Sequence, residues 1–196
     1  MADKNIYTQI PWENLTLALF EFGEFFTEQA RNNLKTGGNP PYTNSNASYN
    51  LYDSIETIVQ ILDDRYIVSV SLAPYWKYVN YGTEPHWPNV DAIRKWIEIK
   101  PVVPQPMTIT RRWYVNGRRK GAPKTILKER QVVVTPSVDQ LAYLIGRKIS
   151  IKGTQGTQFF DKAKDAALDR FEDKIAKAIE MDIDEWLAKT LGGDTL

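Results

Sequence analysis

The longest helical patterns in this sequence lie near its two ends. In residues 11–35, apolar side chains recur every three or four positions and form one stripe of a helix: Trp12, Leu15, Leu19, Phe22, Phe26 and Ala30. A second apolar set, Leu17, Phe20 and Phe25, falls on another face, so we expect this helix to be covered on two sides. A second helical pattern runs from about Phe160 to Leu191, through Ala163, Ala167, Phe171, Ile175, Ala178, Ile183, Trp186 and Leu187.

The region between these helices mixes strand and helix patterns. Residues 51–61 and 66–72 predict a hairpin around Asp63-Asp64-Arg65, although the first arm also carries helical signals. Residues 88–98 and 137–151 predict two further helices. The sequence therefore predicts an α+β fold, in which a small, mostly antiparallel sheet packs against the long N- and C-terminal helices. We expect a single domain over residues 1–196, with an inserted arm at residues 100–136.

Composition excludes several classes of protein. The chain has 196 residues, a net charge of +1 and no cysteine, so disulfides, thiolate catalysis and sulfur-based zinc sites are excluded. No apolar run approaches the roughly 18 residues that span a bilayer, and the N-terminus lacks the order of a signal peptide. We therefore expect no membrane partner.

The inserted arm is strongly basic. Residues 107–115 and 125–135 have strand composition, and Asn116-Gly117 lies in the predicted connection of a hairpin. Residues 107–135 contain eight cations and one acid, a charge of +7, so the remaining chain carries −6. We expect this arm to contact an acidic partner through its basic and aromatic residues: Arg111, Arg112, Trp113, Tyr114, Arg118, Arg119, Lys120, Lys124, Lys128 and Arg130. An ordinary solvated hairpin, whose charges protect exposed strand edges, is the alternative.

The segment from Ala73 to Thr83 is unusually aromatic. Tyr75, Tyr78 and Val79 are three and four residues apart, so one helical turn would place them on one face. Gly82 follows Tyr81 and suits the end of a helix. The pattern predicts a short buried helix that is mainly structural, with part of it at a subunit boundary.

These motifs and their order resemble the small tail-completion and neck proteins of tailed bacteriophages, related to the minor tail protein Z type. The resemblance rests on the strand entry Leu51, Ser54 and Ile55, the central motif Tyr75, Tyr78, Val79, Tyr81, Gly82 and Thr83, and the late turn with Gly153, Phe159 and Phe160. Trp76 replaces a small residue, Asn80 the usual acid and Gln158 a common proline. The similarity covers residues 13–99 and 137–190 and leaves out residues 100–136.

The resemblance implies a virion structural protein of the head–tail neck. Such a protein assembles as a homo-oligomeric ring that joins capsid and portal to tail and surrounds the DNA channel, with neck, portal or tail proteins as neighbours. It would be made in the host cytoplasm and end in the virion. The alternative is a nucleic-acid-binding module that uses the hairpin at residues 107–135.

Catalytic patterns are weak in this sequence. His86 is the single histidine and lies between Pro85 and Trp87, which is typical of a loop residue. Asp63-Asp64 falls in a predicted turn, and the acidic set Asp182, Asp184 and Glu185 falls on a helix face that we expect to be solvated. The turn at Gly153 lacks the Gly-Lys-Ser/Thr ending of a phosphate loop. We expect no enzyme activity, no cofactor and no metal site.

Overall fold

The computed structural model describes residues 10–36, 49–62, 65–100, 102–117 and 124–191, with the backbone alone for residues 114–117 and 124–126. In chain order the elements are α1 Glu13–Thr36, α2 Asn50–Asp53, β1 Glu56–Ile61, β2 Tyr66–Ser71, α3 Trp76–Tyr81, β3 Gly82–Thr83, α4 Val90–Ile99, β4 Met107–Gly117, β5 Lys124–Val134, α5 Val138–Lys152, β6 Thr154–Gln155 and α6 Phe159–Leu191. Within these ranges the strands form three two-stranded sheets: β1 with β2, β3 with β6 and β4 with β5. The predicted α+β class is confirmed.

The described chain divides into two compact units. Residues up to Thr83, together with those from Gln155 onward, form the first unit, and residues 84–154 form the second. The segment at 100–136, which the sequence predicts as an insertion, lies within the second unit. Among the described helices, none is long and apolar enough to cross a membrane.

The first unit is built on the antiparallel pair of α1 and α6. Their facing residues are small at several positions, including Ala18, Ala30, Ala163, Ala167 and Ala178, all buried. Small side chains let two helix backbones approach closely, and the larger Phe26, Leu34 and Phe159 fill the remaining core. An ion pair between Glu21 and Lys174 joins the two helices at the surface.

The sequence predicts that other elements cover α1 on two sides, and the structure shows this only in part. Phe25 is half-buried against Phe171, with ring centroids 5.6 Å apart. Leu17 and Phe20, in contrast, are 60% and 49% exposed. Strand β1 reaches the same helix at Gly23, a few residues after Phe20. A Cβ added to Gly23 would lie 2.7 Å from Cγ2 of Thr57.

The predicted strand at residues 51–61 is wrong in its first half. Asn50–Asp53 form a single helical turn, and the strand starts at Glu56. Ser54 explains the change, because its hydroxyl donates to the carbonyl of Leu51 and accepts from the backbone N–H of Ala73. A local side-chain hydrogen bond of this kind competes with strand pairing. From Glu56 onward the strand pairs antiparallel with β2, and Glu56 lies opposite Ser71.

A buried carboxylate from α6 caps the beginning of α1. Asp182 is 1% exposed, and its two oxygens accept hydrogen bonds from the backbone N–H groups of Asn14 and Leu15, at 2.9 and 2.8 Å. The side-chain amide of Asn14 donates to the same carboxylate. The first N–H groups of a helix have no partner within the helix, and negative charge is favourable there. The expectation that Asp182 lies on a solvated face is therefore wrong.

The second unit contains a small core between α4 and α5. Ile93 and Ile97 are buried on α4, which corresponds to the predicted helix at residues 88–98, and they pack on Ala142 of α5. Asn89 caps α4 by accepting from the N–H groups of Asp91 and Ala92, and Ser137 starts α5 in a reciprocal capping box with Gln140.

At the surface of this core, Arg94 joins the two helices. It contacts Asp139 at 2.6 Å and Asp91 at 2.5 Å. The hydrogen bond to Asp139 is the largest cause of its raised pKa.

Asp182→Ala should lower the free energy of unfolding by about 2–3 kcal/mol, because it removes a helix cap and leaves the half-buried N–H groups of Asn14 and Leu15 without their acceptor. Asp182→Asn keeps one acceptor oxygen and should cost less. Asp184→Ala, at an exposed position on the same helix, is the matched control and should change stability by about 0.5 kcal/mol at most. Urea unfolding followed by circular dichroism measures all three; equal midpoints for Asp182→Ala and Asp184→Ala would contradict the capping role.

Candidate functional site

The strands β4 and β5 form a two-stranded ribbon, and few of its described side chains are covered by the rest of the chain. They pair antiparallel over eleven positions, from Met107 opposite Val134 to Gly117 opposite Lys124. Most of the described side chains along the ribbon are exposed on both faces, and only Ile109, Val132 and Val134 are half-buried. A two-stranded ribbon is marginally stable in water unless another surface covers it.

The two faces of this ribbon differ in charge. Side chains alternate between faces along a strand, and residues opposite each other in register project from the same face. One face, which we call the basic face, carries Arg111, Trp113, Lys128 and Arg130. On the opposite face Arg112 lies across from Glu129, and the two form an ion pair at 2.7 Å.

The basic face holds an unfavourable arrangement of charges. Arg111 and Arg130 are direct partners in the register. Like charges at directly opposite positions destabilise a strand pair, and within the described residues neither arginine forms an ion pair. Trp113 lies across from Lys128 on the same face and is 42% exposed. An anionic partner placed between the two arginines would relieve the repulsion.

Part of the predicted basic arm lies outside the described side chains. Arg118, Arg119 and Lys120 fall outside the described residues, as does Asp63-Asp64 of the predicted turn. For Tyr114 and Lys124 the backbone alone is described. The sequence predicts that Asn116 and Gly117 lie in the connection between the two strands. This prediction is wrong, because both residues belong to β4 and pair with β5.

The aromatic segment forms the predicted short helix α3, but its tyrosines are exposed. Tyr75, Tyr78 and Tyr81, three residues apart, are 41%, 66% and 61% exposed and define what we call the tyrosine face. The prediction that Tyr75 and Tyr78 are buried is therefore wrong. The buried side of α3 consists of Trp76, Val79 and Asn80, and the ring of Trp76 packs against Phe160, with centroids 4.8 Å apart and planes tilted by 36°.

Asn80 holds α3 against the start of α6. It is fully buried; its side-chain oxygen accepts from the N–H of Phe160 at 2.9 Å, and its side-chain amide donates to Asp161 at 2.7 Å. Its backbone carbonyl also accepts from the N–H of Gln158. This contact was missed in the sequence, although Asn80 is four residues after Trp76 and therefore shares its face.

Two positions of the late turn depend on close backbone geometry. A Cβ on Gly156 would lie 2.2 Å from the carbonyl oxygen of Asn80, so no other residue fits without a shift of the turn. Gln158 has φ 55°, a value that proline cannot adopt. The turn of this chain therefore differs from one with proline at that position. Phe159 is fully buried and Phe160 half-buried, so both are core residues.

The remaining predicted motif positions have backbone roles. Gly82 follows α3 with φ 80°, and Gly153 ends α5 with φ 67°, where its N–H donates to the carbonyl of Ile149. Positive φ favours glycine at both positions. Thr83 is half-buried directly after Gly82.

An open groove lies between α1 and β1 in the first unit, with a volume of about 480 Å³. Its lining combines the carboxylates of Glu24, Glu28 and Glu56 with apolar side chains and one guanidinium: Phe20, Ile55, Val59 and Arg31. Arg31 is held at one end, where it donates to the carbonyls of Tyr52 and Ile55. We call this feature the acidic groove.

The residues considered for catalysis do not come together. His86 is exposed, and its Nδ1 lies 2.9 Å from the carbonyl oxygen of Glu84. Asp182 is engaged in capping α1, while Asp184 and Glu185 are exposed. Over the part of the chain that is described, no group of three or more histidine or acidic side chains could hold a metal ion.

Comparisons of this chain with protein-family models, with curated proteins and with solved structures find no match. The resemblance to phage neck proteins stays a prediction. The functional assignment therefore depends on the chemistry of the basic face, the tyrosine face and the acidic groove.

Asn80→Ala should lower the free energy of unfolding by about 2–3 kcal/mol, because it leaves the N–H of Phe160 without its acceptor in a buried place. Tyr78→Ala, two residues away and largely exposed, should cost less than about 1 kcal/mol. Chemical denaturation of both variants measures the difference. A larger loss for Tyr78→Ala than for Asn80→Ala would restore the view that the tyrosines form the core.

Proposed function

We propose that this protein is a structural subunit of the head–tail neck of a tailed bacteriophage, which assembles as a ring around the DNA channel. Its neighbours would be further copies of the chain and the portal, neck or tail proteins above and below. Its work is assembly and not catalysis. The observation that carries the proposal is the uncovered basic ribbon β4–β5.

The ribbon supports an assembly role because its own chain leaves it incompletely stabilised. Its described side chains leave both faces largely open to solvent, and Arg111 faces Arg130 directly. Both features carry a free-energy cost in the isolated chain. A partner with acidic groups would offset that cost, and in a closed ring every subunit receives such a partner from its neighbour.

The tyrosine face supports the same role from the first unit. Tyrosine combines a large apolar ring with a polar hydroxyl, and it is enriched in protein interfaces. Tyr75, Tyr78 and Tyr81 point outward from a helix whose other side is anchored by Asn80 and Trp76. A rigid aromatic surface of this kind loses little conformational freedom when a partner covers it.

A nucleic-acid-binding module is the second candidate, and Trp113 is the observation that favours it. Its exposed indole stands across from Lys128 and beside Arg111 and Arg130. Aromatic rings among cations are the usual platform for single-stranded nucleic acid. Such binding would weaken steeply with salt, because each phosphate contact releases counterions.

The mass of the purified protein in solution, measured with and without DNA, separates the two candidates. We expect an oligomer of defined mass without DNA, and Arg111, Arg112, Arg118 and Arg119 changed together to Ser should impair that assembly while the monomer stays folded. The loss of four cations removes the charge complementarity between neighbouring copies.

A monomer that gains mass only with DNA at about 0.15 M salt, and loses this binding in the same variant, would favour the nucleic-acid module. Circular dichroism of the variant checks that the fold is intact. Addition of the protein to particles that lack it tests the neck role directly, since joining of heads to tails should then be restored.

A further inference from the structure

We propose that the basic face of one subunit docks into the acidic groove of a second copy, with Arg111 and Arg130 against Glu24 and Glu28. This inference rests on the proposed function and adds to it the pair of surfaces that meet between neighbouring copies. It concerns contacts between chains, and it assigns a role to Phe20, which lines the groove and which the fold leaves exposed.

The basic face requires an anion that its own ribbon does not supply. The one acid among its described residues, Glu129, belongs to the opposite face and is paired with Arg112. Three cations, Arg111, Lys128 and Arg130, therefore share one exposed surface. Guanidinium groups suit carboxylate partners because they can donate two parallel hydrogen bonds to one carboxylate.

The acidic groove carries the opposite charge to the basic face. Glu24, Glu28 and Glu56 line it, and among the described residues none of the three forms an ion pair. The one cation in the lining, Arg31, directs its donors at backbone carbonyls and stacks on Tyr52. The groove therefore presents free carboxylates next to apolar surface.

The spacing of charges matches on the two surfaces. Glu24 and Glu28 are four residues apart on α1, which places their Cβ atoms about 5–6 Å apart on one side of the helix. Arg111 and Arg130 are direct cross-strand partners, with Cβ atoms about 4.5–5.5 Å apart. Two guanidinium groups can thus meet two carboxylates without a change of backbone.

Each of the two surfaces also carries apolar side chains next to its charges. Trp113 lies next to Arg111 on the basic face, and Phe20 lies one turn before Glu24 at the edge of the groove. An indole ring placed against Phe20 and Val59 would bury apolar area on both copies. Nucleic acid would satisfy the arginines equally well, but it would leave the carboxylates of the groove and the exposed Phe20 unexplained.

Charge neutralisation with matched controls tests the contact. Arg111→Gln should weaken self-association of the full chain about tenfold or more, while Arg112→Gln, adjacent on the opposite face, should have little effect. Glu24→Gln with Glu28→Gln should weaken it to a similar degree. Asp169→Asn with Asp173→Asn, an exposed pair of acids with the same spacing on α6, is the control for the groove.

Charge reversal adds a test that loss of folding cannot imitate. One protein carries Arg111→Glu with Arg130→Glu, and a second carries Glu24→Arg with Glu28→Arg. In each protein alone, the arm and the groove have the same sign, so sedimentation should show little assembly. In an equimolar mixture each arm meets a groove of opposite sign, and assembly should return.

The outcomes separate this inference from the function on which it rests. Assembly of the unchanged protein, together with no rescue in the mixture, would overturn the docking but leave the ring proposal standing. An unchanged protein that stays monomeric at its highest soluble concentration would overturn both. DNA binding that is lost with Arg111→Gln and kept with the two groove substitutions, while assembly is unaffected by either, would assign the basic face to nucleic acid.

Discussion

The antiparallel contact between α1 and α6 is the interaction on which the first unit depends. Its middle is apolar and closely spaced, and a polar side chain fixes each of its two ends. Asp182 of α6 binds the first N–H groups of α1, and at the other end the side-chain amide of Asn33 on α1 donates to the carbonyl of Phe159 at the start of α6. Helices this long can slide along an apolar stripe, whereas a hydrogen bond between them at each end allows one register. These hydrogen bonds therefore determine where the rest of the unit can pack.

A separate contact, in which Asn80 of α3 binds the N–H of Phe160 at the start of α6, accounts for the tyrosine face. Because Asn80, Val79 and Trp76 hold α3 against the turn before α6, the side of α3 that carries the tyrosines has to face outward. The aromatic segment thus does two things at once. One side gives stability to its own chain, and the other offers a rigid surface to a partner.

The second unit places its charges where they destabilise the isolated chain. Arg111 and Arg130 repel each other across a ribbon whose described side chains are mostly exposed, and within the described part of the chain Glu24 and Glu28 of the acidic groove form no ion pair. Charges that cost free energy in one chain and offset each other between chains are typical of surfaces that assemble. The near-neutral total charge of +1 conceals this arrangement.

The sequence by itself determined the elements that follow from local periodicity: both long helices, the helix predicted at residues 88–98 and the basic hairpin with its excess of cations. Helical and strand periods are properties of neighbouring residues, so they can be predicted without the fold. Only the tertiary structure decided which side of α3 is buried, and that Asp182 is a cap and not a solvated acid. Those outcomes depend on backbone groups that are 80 or more residues away in the sequence, whereas a local pattern shows only which residues share a helix face and not which face is covered.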